Sequence, residues 1–225
     1  MDTSLTKRLL NAGTLSLSRV LTQGFMHPRI KPLTTNCQCI GPAFTVRAPG
    51  RDAAAVYQAV SQAPSESILV IDRGHDTIFA AVDEQVVLIA KARGLRGIVI
   101  DGCIGNSQEI KFLDFPVFAT GISPAGCVCL GLSGSLQVTV SCGDVPVADG
   151  QMLIADADGV LVLPADFQQL LNSAEQEIKT TQLLKAQIKE GKKELYYMNL
   201  DVTAFVNDEP NQIIANIKKN CPCKK

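Results

Sequence analysis

The sequence predicts an α/β fold: a βαβ unit, then an antiparallel strand layer, then a long C-terminal helix. Three observations predict it. Ile68-Leu69-Val70-Ile71 and Gly97-Ile98-Val99-Ile100 are short β-branched runs flanking a helix-length segment, Ile78–Arg93, all within about 35 residues, as a right-handed βαβ crossover requires. From Cys127 onward, short apolar runs recur between Gly-, Asp- and Pro-containing turns, a spacing that predicts an antiparallel layer or partial barrel against the βαβ part. After Pro164, apolar residues repeat at helical intervals until Gly191.

Taken in order, residues 5–23 carry apolar positions at helical spacing that Gly13 breaks, predicting two short helices. Gly24–Gly41 is a connecting stretch. Phe44-Thr45-Val46-Arg47 alternates as a strand does and ends at Pro49-Gly50. Arg51–Ala63 is an alanine-rich amphipathic helix stopped by Pro64. The βαβ unit follows, its helix closed by Gly94. A short helix, Ser107–Leu113, precedes a strand at Pro116–Ala119. Further strands are expected at Cys127–Leu130, Val138–Ser141, Val145–Val147, Met152–Ala155 and Val160–Leu163, with turns at Asp149-Gly150 and Asp158-Gly159. Phe167, Leu170, Leu171, Ala174, Ile178, Leu184 and Ile188 form the stripe of the last long helix. At about 26 residues it would be roughly 39 Å long, more than a small domain needs, which favours an oligomer. Residues 1–191 read as a single domain and residues 192–225 as an accessory arm with one more helix, Asn211–Lys219.

Composition narrows the function. The 225 residues are 46% hydrophobic, with Lys+Arg 21 against Asp+Glu 22, so no basic footprint for nucleic acid is present. No apolar run approaches the roughly 20 residues that cross a bilayer, and the first residues lack the basic and apolar regions of a signal peptide. The chain reads as cytosolic. Eight cysteines include three C-x-C pairs, Cys37/Cys39, Cys127/Cys129 and Cys221/Cys223. That spacing is not that of zinc sites; in a strand, residues i and i+2 share a face, so the first two pairs read as small packing residues.

No G-x-G-x-x-G, Walker loop, G-x-S-x-G or H-E-x-x-H motif occurs, which disfavours dinucleotide enzymes, nucleotide hydrolases, serine hydrolases and zincins. Gly131-Leu-Ser-Gly134-Ser has the look of a phosphate loop, but a turn between strands accounts for it. The chemistry concentrates at Ile98–Asn106, where a buried strand ends in Asp101-Gly102; ligands bind at such carboxyl ends in open α/β sheets. Arg73 and His75 follow the neighbouring strand on the same edge. Arg73 is a candidate clamp for a carboxylate and His75 a candidate proton shuttle; as solvated loop residues they would need neither role. His27 reads as structural, and Asp156 and Asp158 as turn residues before Gly159.

In order and spacing, the landmarks resemble the RraA-like family, which includes the regulator of ribonuclease E activity A and the 4-hydroxy-4-methyl-2-oxoglutarate/oxaloacetate aldolases. They are Gly41-Pro-Ala-Phe44-Thr-Val46, Ile71-Asp72-x-Gly74, Glu84, Ala90-Lys91-Ala92-Arg93-Gly94-x-x-Gly97-Ile-Val-Ile-Asp101-Gly102, Pro116-Val-Phe118-Ala119-x-Gly121-x-x-Pro124 and Ala155-Asp156-x-Asp158-Gly159-Val160-x-Val162-x-Pro164. The resemblance implies a β/β/α sandwich assembled as a trimer or a dimer of trimers, with the pocket between subunits. In the family's aldolases, the Arg of a D-G-x-x-R-D motif polarises an oxo-acid and its second Asp holds Mg²⁺ or Mn²⁺. The acidic residue at the start of the preceding helix orients metal-bound water, and N–H groups there take the substrate carboxylate.

Carried over by position, the helix-start acid is Glu84, the N–H donors are those of Gln85 and Val86, and Asp101 and Gly102 match the motif. The Arg position is Gly105 and the metal-ligand position is Asn106, while Asp83 stands where a Gly is usual. A nascent enolate needs positive charge beside its oxygen, and a neutral amide is a poor substitute for a carboxylate on Mg²⁺. The residues therefore imply weakened Mg²⁺ or Mn²⁺ binding and weak or absent standard aldolase activity. Two readings follow. One is a diverged carbon–carbon lyase acting on a small oxo-acid, with Glu84, Arg73 and His75 as catalytic candidates, Gln85, Val86, Asp101 and Gly105 against a small carboxylate ligand, and Asn106 at the metal position. The other is a non-catalytic regulator that binds a protein partner, as the ribonuclease regulators do. Nothing resembles the glycine-rich loop of an S-adenosylmethionine enzyme, which speaks against the menaquinone-methyltransferase label such sequences have carried.

Overall fold

The structure is a computed structural model that describes residues 3–189. The chain divides into two units, Met1–Ile178 and Lys179–Lys225. Everything below concerns the first, apart from the extent of the last helix. The arm at 192–225 and its helix lie outside the described residues.

Helix α1 (Thr3–Ser18) is interrupted at Gly13, whose φ of 72° and ψ of 165° no helix accommodates, so two short helices form as expected. The break is fastened from afar: Asp156 accepts the Thr14 N–H at 2.7 Å and the Thr14 hydroxyl at 2.6 Å. Asp156 thus caps the second half of α1 as well as shaping its own turn.

Four parallel strands form the centre, ordered β6 (Val117–Ile122), β5 (Gly97–Ile104), β3 (Ile68–Asp72), β2 (Cys39–Arg47). Helices α2 (Ala54–Gln62), α3 (Glu84–Ala92) and α4 (Ser107–Lys111) connect them. Side chains alternate across the sheet as strand geometry demands. Leu69, Ile71, Ile98 and Ile100 pack against Val56, Val60, Val86 and Val87 of the helices. Ile68, Val70 and Val99 face the hairpin of β8 (Val140–Cys142) and β9 (Val145–Val147) through Val140, Cys142 and Val147. Strands β10 (Met152–Asp156) and β11 (Gly159–Val162) continue the sheet antiparallel from β2, and Ile154 and Leu161 meet Leu9, Leu17, Leu171 and Ala174 of α1 and α5 (Phe167–Lys189).

The differences from expectation have local causes. Of the antiparallel strands, β8 and β9 pair as a separate two-stranded sheet, while β10 and β11 extend the main sheet. The helix expected from Ile78 begins only at Glu84. Asp76 takes the N–H groups of Ile78 and Phe79 at 2.7 and 3.0 Å, and Ala80–Val82 then form β4 beside the end of β5. Strand β5 runs past Asp101-Gly102 to Ile104, its pairing with β6 shifting register between Ile100 and Cys103. Cys127–Leu130 is not a strand; Val128 makes an isolated bridge to Asp52. Two very short strands, β1 (Lys31–Pro32) and β7 (Ser135–Leu136), join β6 and β2.

Candidate functional site

The carboxyl ends of β3 and β5 carry two acids in register, Asp72 beside Asp101, and both are structural anchors. Asp72 accepts the Gly74 N–H at 2.7 Å and the Ser141 N–H at 3.3 Å. Asp101 accepts the Gly143 N–H at 2.8 Å and a two-pronged bond from Arg29, 3.0 and 2.8 Å. The pair thereby holds alternate N–H groups of the β8–β9 hairpin, those of Ser141 and Gly143. Arg29 spans Asp101 and Asp144, with 2.6 Å to the latter, and its own affinity for the proton is raised by both carboxylates, Asp144 first. Asp101 is 8% exposed and turns to the hairpin face, away from the cleft described next.

That cleft, about 390 Å³, opens between the start of α2, β4, the end of β5 and the 123–129 loop. Its polar lining comes from Tyr57, Asp83, Asn106 and Ser123; Ala53, Ala80, Pro124 and Cys127 supply apolar surface. Such a volume is within the ordinary range of small-molecule sites, roughly 300–1,000 Å³. Asp83 is the N-cap of α3. One of its carboxylate oxygens accepts the Val86 N–H at 3.0 Å, and the other accepts the Tyr57 hydroxyl at 3.0 Å. Burial, and then Asp83, push the Tyr57 phenol up to about 12, so Tyr57 keeps its proton.

The structure brings Gly105 and Asn106 to this cleft and leaves most other candidates outside its walls. A Cβ at Gly105 would fit in ordinary contact, with Ala80 Cβ at 3.7 Å and the Ser123 carbonyl oxygen at 3.9 Å. Asn106 is exposed in the left-handed region, φ 46°. Glu84 is half-buried on the first turn of α3 and Gln85 is exposed; Asp83, not Glu84, forms the wall. The Val86 N–H already has its acceptor.

Arg73 is neither a solvated loop residue nor a free clamp. It is fully buried, its terminal nitrogens donating to the carbonyls of Ala48 and Gly50, with Asp76 at 3.3 Å and the Cys127 sulfur at 3.5 Å. Its Nε is buried without a partner. His75 is exposed in a left-handed turn, φ 66°. Burial raises the Cys127 thiol, against the opposing influence of Arg73, which leaves it a poor nucleophile.

The phosphate-like run 131–134 also has an occupant. Asp52 accepts the N–H groups of Ala54, Leu130, Leu132 and Ser133, at 3.0, 3.0, 2.6 and 3.2 Å, so an internal carboxylate fills the ring of donors. These bonds hold Asp52 far below the usual carboxylate range. Sequence reasoning missed Tyr57 and Asp52, and it located Asp83 by position without its role as N-cap and cleft wall. Asp83 carried a legible signal, an N-cap residue directly before an apolar helical run. Among the described residues, no three His, Cys, Asp or Glu side chains are grouped so as to hold a metal ion.

A mixed sheet with helices α2–α4 on one face, a hairpin on the other and a cleft at the carboxyl edge is the fold of RraA proteins. The family model described as RraA-like, Aldolase/RraA, matches residues 11–162, more than half of the chain, and the chain belongs to that family. A Halalkalibacterium halodurans protein named "Putative 4-hydroxy-4-methyl-2-oxoglutarate aldolase" is 39% identical over 135 residues, 60% of this chain and 64% of that protein. The chain therefore spans a little less than two thirds of that relative. An uncharacterized Methanocaldococcus jannaschii protein is 34% identical over 67% of this chain and 75% of its own. Among solved structures, the RNA-processing inhibitor RraA from Thermus thermophilis superposes with a TM-score of 0.62 at 25% identity, covering 67% of this chain and 92% of that one. The Streptomyces coelicolor RNase ES inhibitor family member RraAS2 gives 0.69 at 22% identity, covering 81% and 96%, a likeness of fold.

Proposed function

We propose that this protein binds a small polar molecule in the Asp83–Asn106 cleft and does not carry out the metal-dependent aldol cleavage for which some of its relatives are named. The observation that carries this reading is the cleft's charge. Where the resemblance places an Arg and a metal-binding Asp, the wall presents Gly105 and Asn106, and the one carboxyl group among its described residues, Asp83, lies beside the proposed oxo-acid position. Among the described residues of this chain, an enolate forming there would meet a carboxylate and no cation in the lining, which opposes its formation. Arg73 does not substitute, because its donors are committed to backbone carbonyls. A substrate carboxylate seeking the Val86 N–H would have to displace Asp83. The side chains present do not fit a Mg²⁺ or Mn²⁺ site, so no step is routed through a metal.

We further propose, on the resemblance alone, that the chain assembles as a trimer or a dimer of trimers. No described helix is long and apolar enough to cross a membrane. A second reading, regulation of a partner protein, is favoured by the likeness to an RNA-processing inhibitor and by Leu130 and Leu132, 56% and 80% exposed on the loop that Asp52 orders.

The test is pyruvate release from 4-hydroxy-4-methyl-2-oxoglutarate and from oxaloacetate, with Mg²⁺ or Mn²⁺ added. The native protein is expected to match the metal-only background. The pair Gly105→Arg with Asn106→Asp, in which the new Cβ at residue 105 meets only ordinary contacts, should raise the rate above it. Robust turnover by the native protein would refute the reading, and co-purification of an inert native protein with a ribonuclease would favour regulation.

A further inference from the structure

We propose that the cleft takes a small primary amine, its ammonium held by the Asp83 carboxylate and the Tyr57 oxygen and its carbon stem laid along Ala53, Ala80 and Pro124. The proposal rests on the reading of the cleft as a ligand site without aldol chemistry and names the ligand's class.

An ionised carboxylate offers about four acceptor positions. Asp83 uses one on each oxygen, for the Val86 N–H and the Tyr57 O–H, so about two remain. Both present partners are neutral, and neither cancels its charge. Tyr57 has spent its proton on Asp83 and presents only lone pairs to a ligand. Ser123 behaves alike: its hydroxyl donates to the Ile78 carbonyl and accepts the Ala125 N–H at 3.1 Å. Among the described residues of this chain, Asn106 is the one lining side chain with N–H groups to offer, and its amide also carries an acceptor. The polar wall is thus rich in acceptors and carries negative charge.

The neighbouring cations do not change the sign. Arg73 stands behind Cys127 and faces Asp76. Arg51 lies over the Phe79 ring, 5.6 Å from its centroid, and does not line the cleft. Glu84, next to Asp83, adds a second acid to the same helix start. A three-donor cation such as an ammonium complements these acceptors, whereas a dicarboxylate meets like charge. The apolar patches match a short alkyl chain better than a polyol.

The experiment is calorimetric titration of the native protein with putrescine and ethanolamine, with neutral 1,4-butanediol and anionic succinate as comparisons. The amines should bind saturably, and the diol and succinate at least about tenfold more weakly, as losing a charged hydrogen bond predicts. Asp83→Asn keeps an N-cap residue on α3 and should weaken amine binding by about tenfold with the melting temperature little changed. Asn106→Asp adds a carboxylate at an exposed position and should tighten it. Preference for succinate, indifference to Asp83→Asn in a folded variant, or no saturable binding by any amine overturns the proposal. The last result leaves the absence of aldol cleavage standing, because the pyruvate assay reads that separately. Pyruvate release by the native protein overturns both.

Discussion

A Cβ on residue 102 would stand 2.4 Å from Cγ of Arg73, so Gly102 and Arg73 form a matched pair: the missing side chain on one strand is the space occupied by the stem of the other. Arg73 has nowhere to retreat, since both its terminal nitrogens are bonded to the backbone at Ala48 and Gly50. Gly102→Ala should destabilise the fold by about 1–3 kcal/mol, the usual cost of overpacking. Urea denaturation measures it, and an unchanged midpoint would show that Arg73 can move aside.

Removing the guanidinium tests the same pair from the other side. Arg73→Met keeps much of the buried stem but leaves Asp76, 11% exposed at its side chain, without its cation and two carbonyls without donors. A loss on the order of 3 kcal/mol is expected, again read in urea. A catalytic clamp would instead show a normal midpoint and an altered ligand affinity.

Asp52 should make the 130–134 loop sensitive to acid. Its bonds to four N–H groups depress its folded-state pKa, so its contribution to stability is complete above the ordinary carboxylate value of about 3.9 and fades as pH falls towards the folded value. Asp52→Asn should therefore lower the urea midpoint at neutral pH and flatten the decline below about pH 4. Hydrogen exchange at Leu130, Leu132 and Ser133 should quicken in the variant, while protection in β3 and β5 persists.

Asp101 should prove a matter of stability and not of ligand binding. Asp101→Asn weakens the grip of Arg29 and the anchoring of Gly143, for an expected cost of about 1–3 kcal/mol. Affinity of any cleft ligand should stay within about twofold, because a loss of more than 0.5 kcal/mol is not expected from a residue that does not touch the site. A variant of normal stability that fails to bind would return Asp101 to the pocket.

The parts legible in the sequence were those governed by periodicity. Ile68–Ile71, Met152–Ala155 and the stripe from Phe167 to Ala174 declare their faces by spacing, and Gly13 its break. Strand β4 was not legible, because Ala80-Ala81-Val82 is short, alanine-rich and contiguous with a true helix. The tail of β5 was hidden by Asp101-Gly102, which read as a turn until the space needed by Arg73 explained the glycine. The burial of Arg73 could not be read at all: arginine is a surface residue by habit, and its partners lie 25 and 23 positions away. In the cleft, the family register located Gly105, Asn106 and Asp83, but Tyr57 enters from another helix, 26 positions from Asp83.

The register shift in β5 divides one short stretch of chain between two employments. Residues 101 and 102 are welded into the frame, one gripping the hairpin and the other yielding its volume to Arg73. Residues 105 and 106, a few positions on, line an opening and are tied to the frame through their backbones, the Gly105 N–H donating to the Val82 carbonyl at 2.9 Å and the Asn106 carbonyl accepting the Ile110 N–H at 3.0 Å. Side-chain change at the second pair therefore leaves the frame in place so long as residue 106 tolerates its left-handed backbone, as Asn, Asp and Gly do, and the reactive half of such a motif can change while the scaffold half stays intact.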